Sequence, residues 1–182
     1  MRKASFLIAA AVLAAFSTPL SAQSGFALKG HYLFNESEVK DGGDDVPSAN
    51  GFSLGAELLL PFSVAVGVSG YTTGSARDFD VETSSFGVLA EANYFLDLPI
   101  IPLTPYAGIH AGLGSYTIDQ LDDQEPSFKD GRTQLGWQVG VRWQLSSLLG
   151  LDAQLRRVSD SAADDQAPEL ERRQVLVGIT VF

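Results

Sequence analysis

Eight side chains that can hold charge or move protons recur along the chain, each with an apolar or glycine neighbour: Lys29, His31, Glu57, Glu91, His110, Arg142, Asp152 and Arg156. Lys29 and His31 are two residues apart, and Asp152 and Arg156 are four apart. Even spacing puts such residues on one side of a β-strand, where side chains alternate between two faces. A histidine oriented by a carboxylate could activate a nucleophile. Cations and anions facing one passage could instead carry ions through it or close it. Three cations and three anions stand beside the two histidines, so the set is balanced. Balance is what an enclosed, water-poor space needs, because an unpaired buried charge costs several kcal/mol. A water-facing surface has no such requirement.

The segments that carry these residues read as strands. In "QLGWQVGVRWQL" (134–145), Leu135, Trp137, Val139, Val141, Trp143 and Leu145 alternate with glutamine, glycine and Arg142. The period is two, with one greasy face and one polar face. The same alternation predicts strands near 25–35, 51–60, 63–71, 84–96, 104–116, 132–146, 149–158 and 171–182. No stretch carries a useful helical stripe. Glycines such as Gly108, Gly112, Gly114, Gly136 and Gly140 lie inside the strands, which suits a curved, closely approached wall.

The connections sort by length. The joins at Pro61-Phe62, at "DLPIIP" (97–102) and at "SSLL" (146–149) are short, and those at 36–50, 72–83, 117–131 and 159–170 are long. Of 22 acidic residues, only Glu57, Glu91, Asp97 and Asp152 lie away from the long connections. Short turns at one end and long polar loops at the other are the organisation of a membrane β-barrel. The greasy face then looks at lipid and the balanced polar face lines the lumen. Trp137 and Trp143 would point outward, Trp143 close to the short-turn end. Tyr32, Phe34, Phe52 and Phe86 would form an aromatic girdle at the opposite interface.

The first residues, "MRKASFLIAAAVLAAFSTPLSAQ", have the form of a secretory signal: basic Arg2 and Lys3, a short apolar core, and Ser21-Ala22 as a cleavage site. The expected domains are a signal peptide over 1–22 and a barrel over 23–182. There is no cysteine, so a closed hydrogen-bonded sheet must supply the stability that disulfides would. The net charge of −10 gives no general attraction to nucleic acid.

With "TPYAGIHAGLGSY" (104–116) and a last segment "RRQVLVGITVF" ending in Phe182, the whole mature chain resembles the small eight-stranded outer-membrane β-barrels of the OmpA, OmpX and opacity-protein type. The resemblance implies an all-β, closed, antiparallel eight-stranded barrel in the bacterial outer membrane, with short periplasmic turns and long extracellular loops. It implies lipid and lipopolysaccharide as surroundings and the barrel-assembly machinery as a partner during biogenesis, with Phe182 part of the signal that machinery reads. It also implies that Phe182 faces lipid, in the aromatic girdles. Gly178 and Thr180 would then share its face, and Val175, Val177, Ile179 and Val181 would face the lumen. Polarity alone chooses the opposite, and a bulge near Gly178 is the device that could reconcile the two.

The function expected is a non-enzymatic barrel that anchors acidic surface loops, since an eight-stranded interior is just filled by side chains. A narrow ion or small-solute channel is the alternative. A lipid A-modifying enzyme is a further one, although His31 and His110 fall on the lumen face and His110 is followed by Ala-Gly, without a serine of the family pattern. A soluble lipocalin-type barrel is the remaining option. Arg132, Arg157, Arg172 and Arg173 are expected as a basic collar below the acidic loops. Lipopolysaccharide phosphates would lie at that level, and pairing with Glu169 and Glu171 is the competing reading. "DGGDD" (41–45) and "LDDQE" (121–125) do not fit a calcium loop, so neither a metal nor a cofactor is expected. The ligand of the loops is not legible.

Overall fold

The structure, a computed structural model, describes residues 25–40, 45–46, 48–60, 62–78, 81–96, 103–120, 128–162 and 169–182. The signal-peptide expectation for 1–22, most of both acidic loop motifs and the 97–102 turn lie outside these residues. Among the described residues there are ten strands: β1 (Phe26–Val39), β2 (Asp45–Val46), β3 (Gly51–Leu60), β4 (Val64–Thr73), β5 (Ala76–Asp78), β6 (Val81–Phe95), β7 (Leu103–Gln120), β8 (Phe128–Gln144), β9 (Leu149–Ala162) and β10 (Leu170–Val181). Eight of them form the wall, in the order β1-β3-β4-β6-β7-β8-β9-β10, every neighbouring pair antiparallel, and β10 returns to pair with β1. The sheet is thereby closed and has no free edge, the condition for a β-structure to cross lipid. The two short strands β2 and β5 hang on β1 and β6.

Burial follows the alternation with its sign inverted relative to a soluble barrel. Buried polar and charged residues outnumber buried apolar ones among the described residues. The large apolar side chains of the wall are the exposed ones, Trp137 at 44% and Leu54 at 73% among them.

The strands run further than the hydrophobic pattern. The pattern of β7 ends at Tyr116, yet the ladder continues through Thr117↔Lys129 and Ile118↔Phe128. Alternation reports contact with lipid, whereas hydrogen-bond pairing does not need it. All four long connections, 36–50, 72–83, 117–131 and 159–170, are therefore partly strand.

The last strand corrects one expectation. Val175, Val177, Ile179 and Val181 face outward, and Thr180 is buried. The register from Leu28↔Val181 to Val39↔Leu170 runs without a slip, so no bulge interrupts it at Gly178. Four apolar side chains placed against lipid decide the facing. Phe182 follows one position later and turns inward, its ring centroid 5.7 Å from the Arg142 guanidinium carbon. It does not belong to an outer aromatic girdle.

Glycines on the inner face make room for large neighbours. The Tyr106 ring lies over Gly140, where an added Cβ would meet Cζ at 2.4 Å. Tyr71 covers Gly87 in the same way. A β-branched residue at Gly140 would have to displace Tyr106 and its partners. We expect Gly140→Val to lower the stability of the folded barrel by about 1–3 kcal/mol, the usual cost of overpacking, read as an earlier midpoint in urea unfolding from lipid vesicles.

Candidate functional site in the barrel interior

Alternation puts Lys29 and His31 of β1, Glu57 of β3, Glu91 of β6, His110 of β7, Arg142 of β8, and Asp152 and Arg156 of β9 inside, all buried. Seven of the eight join in one chain of contacts. His31 Nε2 lies 3.1 Å from Asp152 Oδ1. Arg142 Nε donates to Asp152 Oδ2 at 3.1 Å, and Arg142 Nη1 donates to Glu57 Oε1 at 2.5 Å. Lys29 Nζ links Glu57 Oε2 at 3.3 Å to Glu91 Oε2 at 2.8 Å. Arg156 Nη2 ends the chain on Glu91 Oε1 at 2.8 Å. His110 is buried beside the chain and is not a link in it. It packs over Gly136, where an added Cβ would fall 2.7 Å from its Nε2.

Two of the six links, Lys29–Glu57 and Arg142–Asp152, join adjacent strands, and the other four cross the lumen. Lys29–Glu91 joins β1 to β6, Arg142–Glu57 joins β8 to β3, and Arg156–Glu91 joins β9 to β6. Charge-assisted bonds of this kind are short and directional, so they brace the cylinder across its width. The remaining lone pairs are largely taken by neutral groups. Tyr106 Oη donates to Asp152 Oδ1 at 2.9 Å, and Ser69 donates to Glu91. Gln154 donates to Gln138 Oε1 at 2.7 Å, and Gln138 donates to Asn93 Oδ1 at 2.6 Å. These partners share the parity of the charged residues, so the strand pattern already places them inside. Only their pairings needed the fold.

One layer was not legible from residue type. On the loop side of His31 and Glu91, the next inward positions are Leu33 and Leu89. With Leu176 and Tyr71 they form a buried apolar cluster. By residue type alone a leucine on the inner face looks the same as one turned to lipid, and only its parity with His31 or Glu91 places it inside. A second cluster, Ala65, Phe95 and Tyr106 with Leu59, lies at the short-turn end. There the Arg142 guanidinium carbon lies 4.9 Å from the centroid of the Phe95 ring, a cation–π contact.

The basic collar is only half on the outer wall. Arg132 and Arg172 are buried at 6% and 1% exposure. Their parity with Gln134 and Gln174 carries both inward. Arg172 pairs with Asp160, Nε to Oδ2 at 2.5 Å, and donates to Tyr71 Oη at 2.7 Å. Arg132 lies 5.7 Å from the Tyr116 ring centroid. Arg157 and Arg173 remain outside, where Arg157 is bonded to Glu171 through two nitrogens and Arg173 reaches Glu38 at 3.0 Å. Lys40 pairs with Glu169 at 2.6 Å on the same side of the barrel.

The aromatic side chains divide the same way. Trp137, Trp143, Tyr32, Phe34, Phe52 and Phe86 project outward. The Tyr32 ring meets those of Phe34 and Phe52 edge-on at 4.8 and 5.3 Å.

A family model for the outer membrane protein beta-barrel domain matches residues 7–181. The chain belongs to that family. Its place is therefore the bacterial outer membrane, with the apolar wall in lipid. Among solved structures, Neisserial surface protein A has a TM-score of 0.71 at 19% identity, covering 87% of this chain and 97% of its own. Ail, the attachment invasion locus protein of Yersinia pestis, has a TM-score of 0.61 at 15% identity, covering 87% and 99%. OprG from Pseudomonas aeruginosa follows with 0.50 at 10% identity, covering 87% and 95%. At these identities the likeness is one of fold. No curated protein sequence matches the chain.

Removing one member of a buried ionic chain leaves its partners uncompensated. Glu91 holds both Lys29 and Arg156. We expect Glu91→Ala to cost about 3–5 kcal/mol of folding stability in vesicles. The double variant Glu91→Leu with Arg156→Met should lose less than the sum of the two single changes, measured by a double-mutant cycle of urea unfolding.

Proposed function

We propose that the chain is a non-enzymatic outer-membrane anchor whose barrel holds acidic loops at the cell surface. The observation that carries this reading is the filled interior. A compensated chain of ions braces the lumen, and Leu33, Leu89, Leu176 and Tyr71 stack above it as an apolar layer. An ion crossing that layer would be stripped of water without polar replacement, which favours a plug over a path. The channel alternative needs the pairs to exchange partners and the leucines to part.

The enzymatic alternative lacks an arranged nucleophile among the described residues. His31 is held by Asp152, and Asp152 in turn by Arg142 and Tyr106, so that carboxylate is committed to structure. His110 faces a glycine.

The refolded protein should be electrically silent in planar bilayers over the full voltage range, and lipid A from expressing cells should keep all its acyl chains in mass spectra. Steady unitary currents, or a lost acyl chain, would overturn the reading. Protease added to intact cells should cut within 36–50 and 117–131 and spare the barrel.

The outer rim supplies the lipid contact of this proposal. Arg157 and Arg173 stand on the outer wall at the loop end of β9 and β10. A lipopolysaccharide phosphate can compete there with Glu171 and Glu38 for the guanidinium forks. Replacing both arginines with alanine should abolish most of the extra thermal stabilisation that lipopolysaccharide gives over neutral phospholipid. An unchanged difference would remove these residues from the interface.

A further inference from the structure

The described residues at the short-turn end of the barrel carry no charged side chain, and Asp97 of the third short connection lies outside them. Residues 58–60, 62–64, 94–96, 103–105 and 143–151 contain no Asp, Glu, Lys or Arg. Phe62 is 90% exposed at the apex of the β3–β4 turn, and Leu148 is 59% exposed in the β8–β9 turn. Phe62 and Ser63 both have positive φ, 67° and 60°. Tight hairpins usually place Asn, Asp or Gly at such positions, and a bulky residue in the left-handed region is an outlier. The chain thus holds an aromatic ring outward at a place where its backbone would prefer glycine.

The β3–β4 and β8–β9 turns continue the lipid-facing wall without a charged residue, the β8–β9 turn adding only the neutral Gln144, Ser146 and Ser147 among its exposed apolar side chains. Down β3 the outward residues run Phe52, Leu54, Leu58, Leu60 and then Phe62. From Phe52 to Leu60 a strand tilted near 45° rises only about 19 Å, and Phe62 brings this to about 23 Å, close to the ~25 Å apolar band of such barrels. On β8 the run within the strand, Leu135 to Trp143, likewise rises about 19 Å, and Leu145, one residue past the strand end, brings it to about 23 Å. The β3–β4 hairpin is short of the membrane unless its turn is counted as part of the wall.

We propose that the β3–β4 and β8–β9 turns are immersed in the inner-leaflet lipid interface, with Phe62 and Leu148 as anchors, rather than projecting into the periplasm. The occupant of this apolar end is phospholipid, because its surface is continuous with the lipid-covered wall. The charged loop end, where Lys40–Glu169 and Arg173–Glu38 pair on the surface, is the water-facing one.

The absence of native cysteine allows single-site labelling. Phe62→Cys, Leu148→Cys and, at the exposed loop end, Ser75→Cys would each carry an environment-sensitive fluorophore in phospholipid nanodiscs holding one barrel, open to solvent on both sides. A heat-shifted gel band verifies folding of each variant, and positions 62 and 148 test the proposal separately. At both, iodide quenching should be about threefold or more weaker than at position 75, with strong quenching by phospholipid carrying a shallow doxyl group, as for groups buried 5–10 Å into the interface. Iodide quenching equal to that at position 75, without doxyl quenching, overturns the proposal and leaves the end free for a periplasmic partner. Shielding from iodide without doxyl quenching means a protein cover, and overturns it too.

Discussion

Cancellation of charge inside the wall is the constraint on which the rest of this structure depends. An eight-stranded cylinder leaves an interior of side-chain width, where an ion has little water to solvate it. In its central layer three cations and three carboxylates can coexist only if each is held by an opposite charge, and Lys29, Arg142 and Arg156 are held by Glu57, Glu91 and Asp152, while Arg172 and Asp160 pair nearer the loops, where Arg132 is buried too. Ion pairs of this kind add little net stability compared with apolar packing, but they are costly to break singly. Their contribution is to specificity. Slipping any strand by one residue would turn its charge into lipid and its leucines inward. The network therefore fixes register, and because four of its links join non-adjacent strands, it also fixes the cross-section.

The interior is layered rather than uniform, which bears on what the lumen can do. From the short-turn end upward, the aromatic group of Phe95 and Tyr106 is followed by the ionic chain, then by Leu33, Leu89, Leu176 and Tyr71. The Arg172–Asp160 pair lies beyond them. Tyr71 connects the last two layers, since its ring packs with the leucines while its hydroxyl accepts from Arg172 and Gln134. The two ionic layers are thus insulated from each other by hydrocarbon. A polar lumen read only as a row of charges suggests a conduit, whereas charges separated by a leucine layer make two independent braces.

Much of the fold was legible because alternation of period two is robust over strands that span lipid. The facing of Trp137 and Trp143 follows from residues such as Gln138 and Arg142 between them. The inward position of Arg132 follows equally from its parity with Gln134, whereas grouping it with Arg157 and Arg173 by nearness to the acidic loops ignores that parity. Arg172 was misplaced with the last strand as a whole, whose inferred facing came from a terminal phenylalanine instead of from Val175, Val177, Ile179 and Val181. What parity cannot express is which inner residues meet. Lys29 and Glu91 are 62 positions apart and on non-neighbouring strands, so their contact exists only once the sheet has closed. An apolar residue on the inner face breaks the polar pattern, and Leu33, Leu89 and Leu176 are placed only by their parity with His31, Glu91 and Gln174, not by their own chemistry.

The same logic separates the two ends of the molecule. At the loop end, strands β7 and β8 extend past the last lipid-facing residue and stay paired, so hydrogen bonding alone carries the sheet beyond the membrane. The outer side chains there are free to be charged, and Glu36, Glu38, Glu171 and Arg173 are. At the turn end the opposite holds: the strands stop while the apolar surface continues through Phe62 and Leu148. A barrel whose hydrogen-bonded wall overshoots the lipid on one side and falls short on the other is set asymmetrically in the bilayer. Its length is matched to the membrane by its turns rather than by its strands.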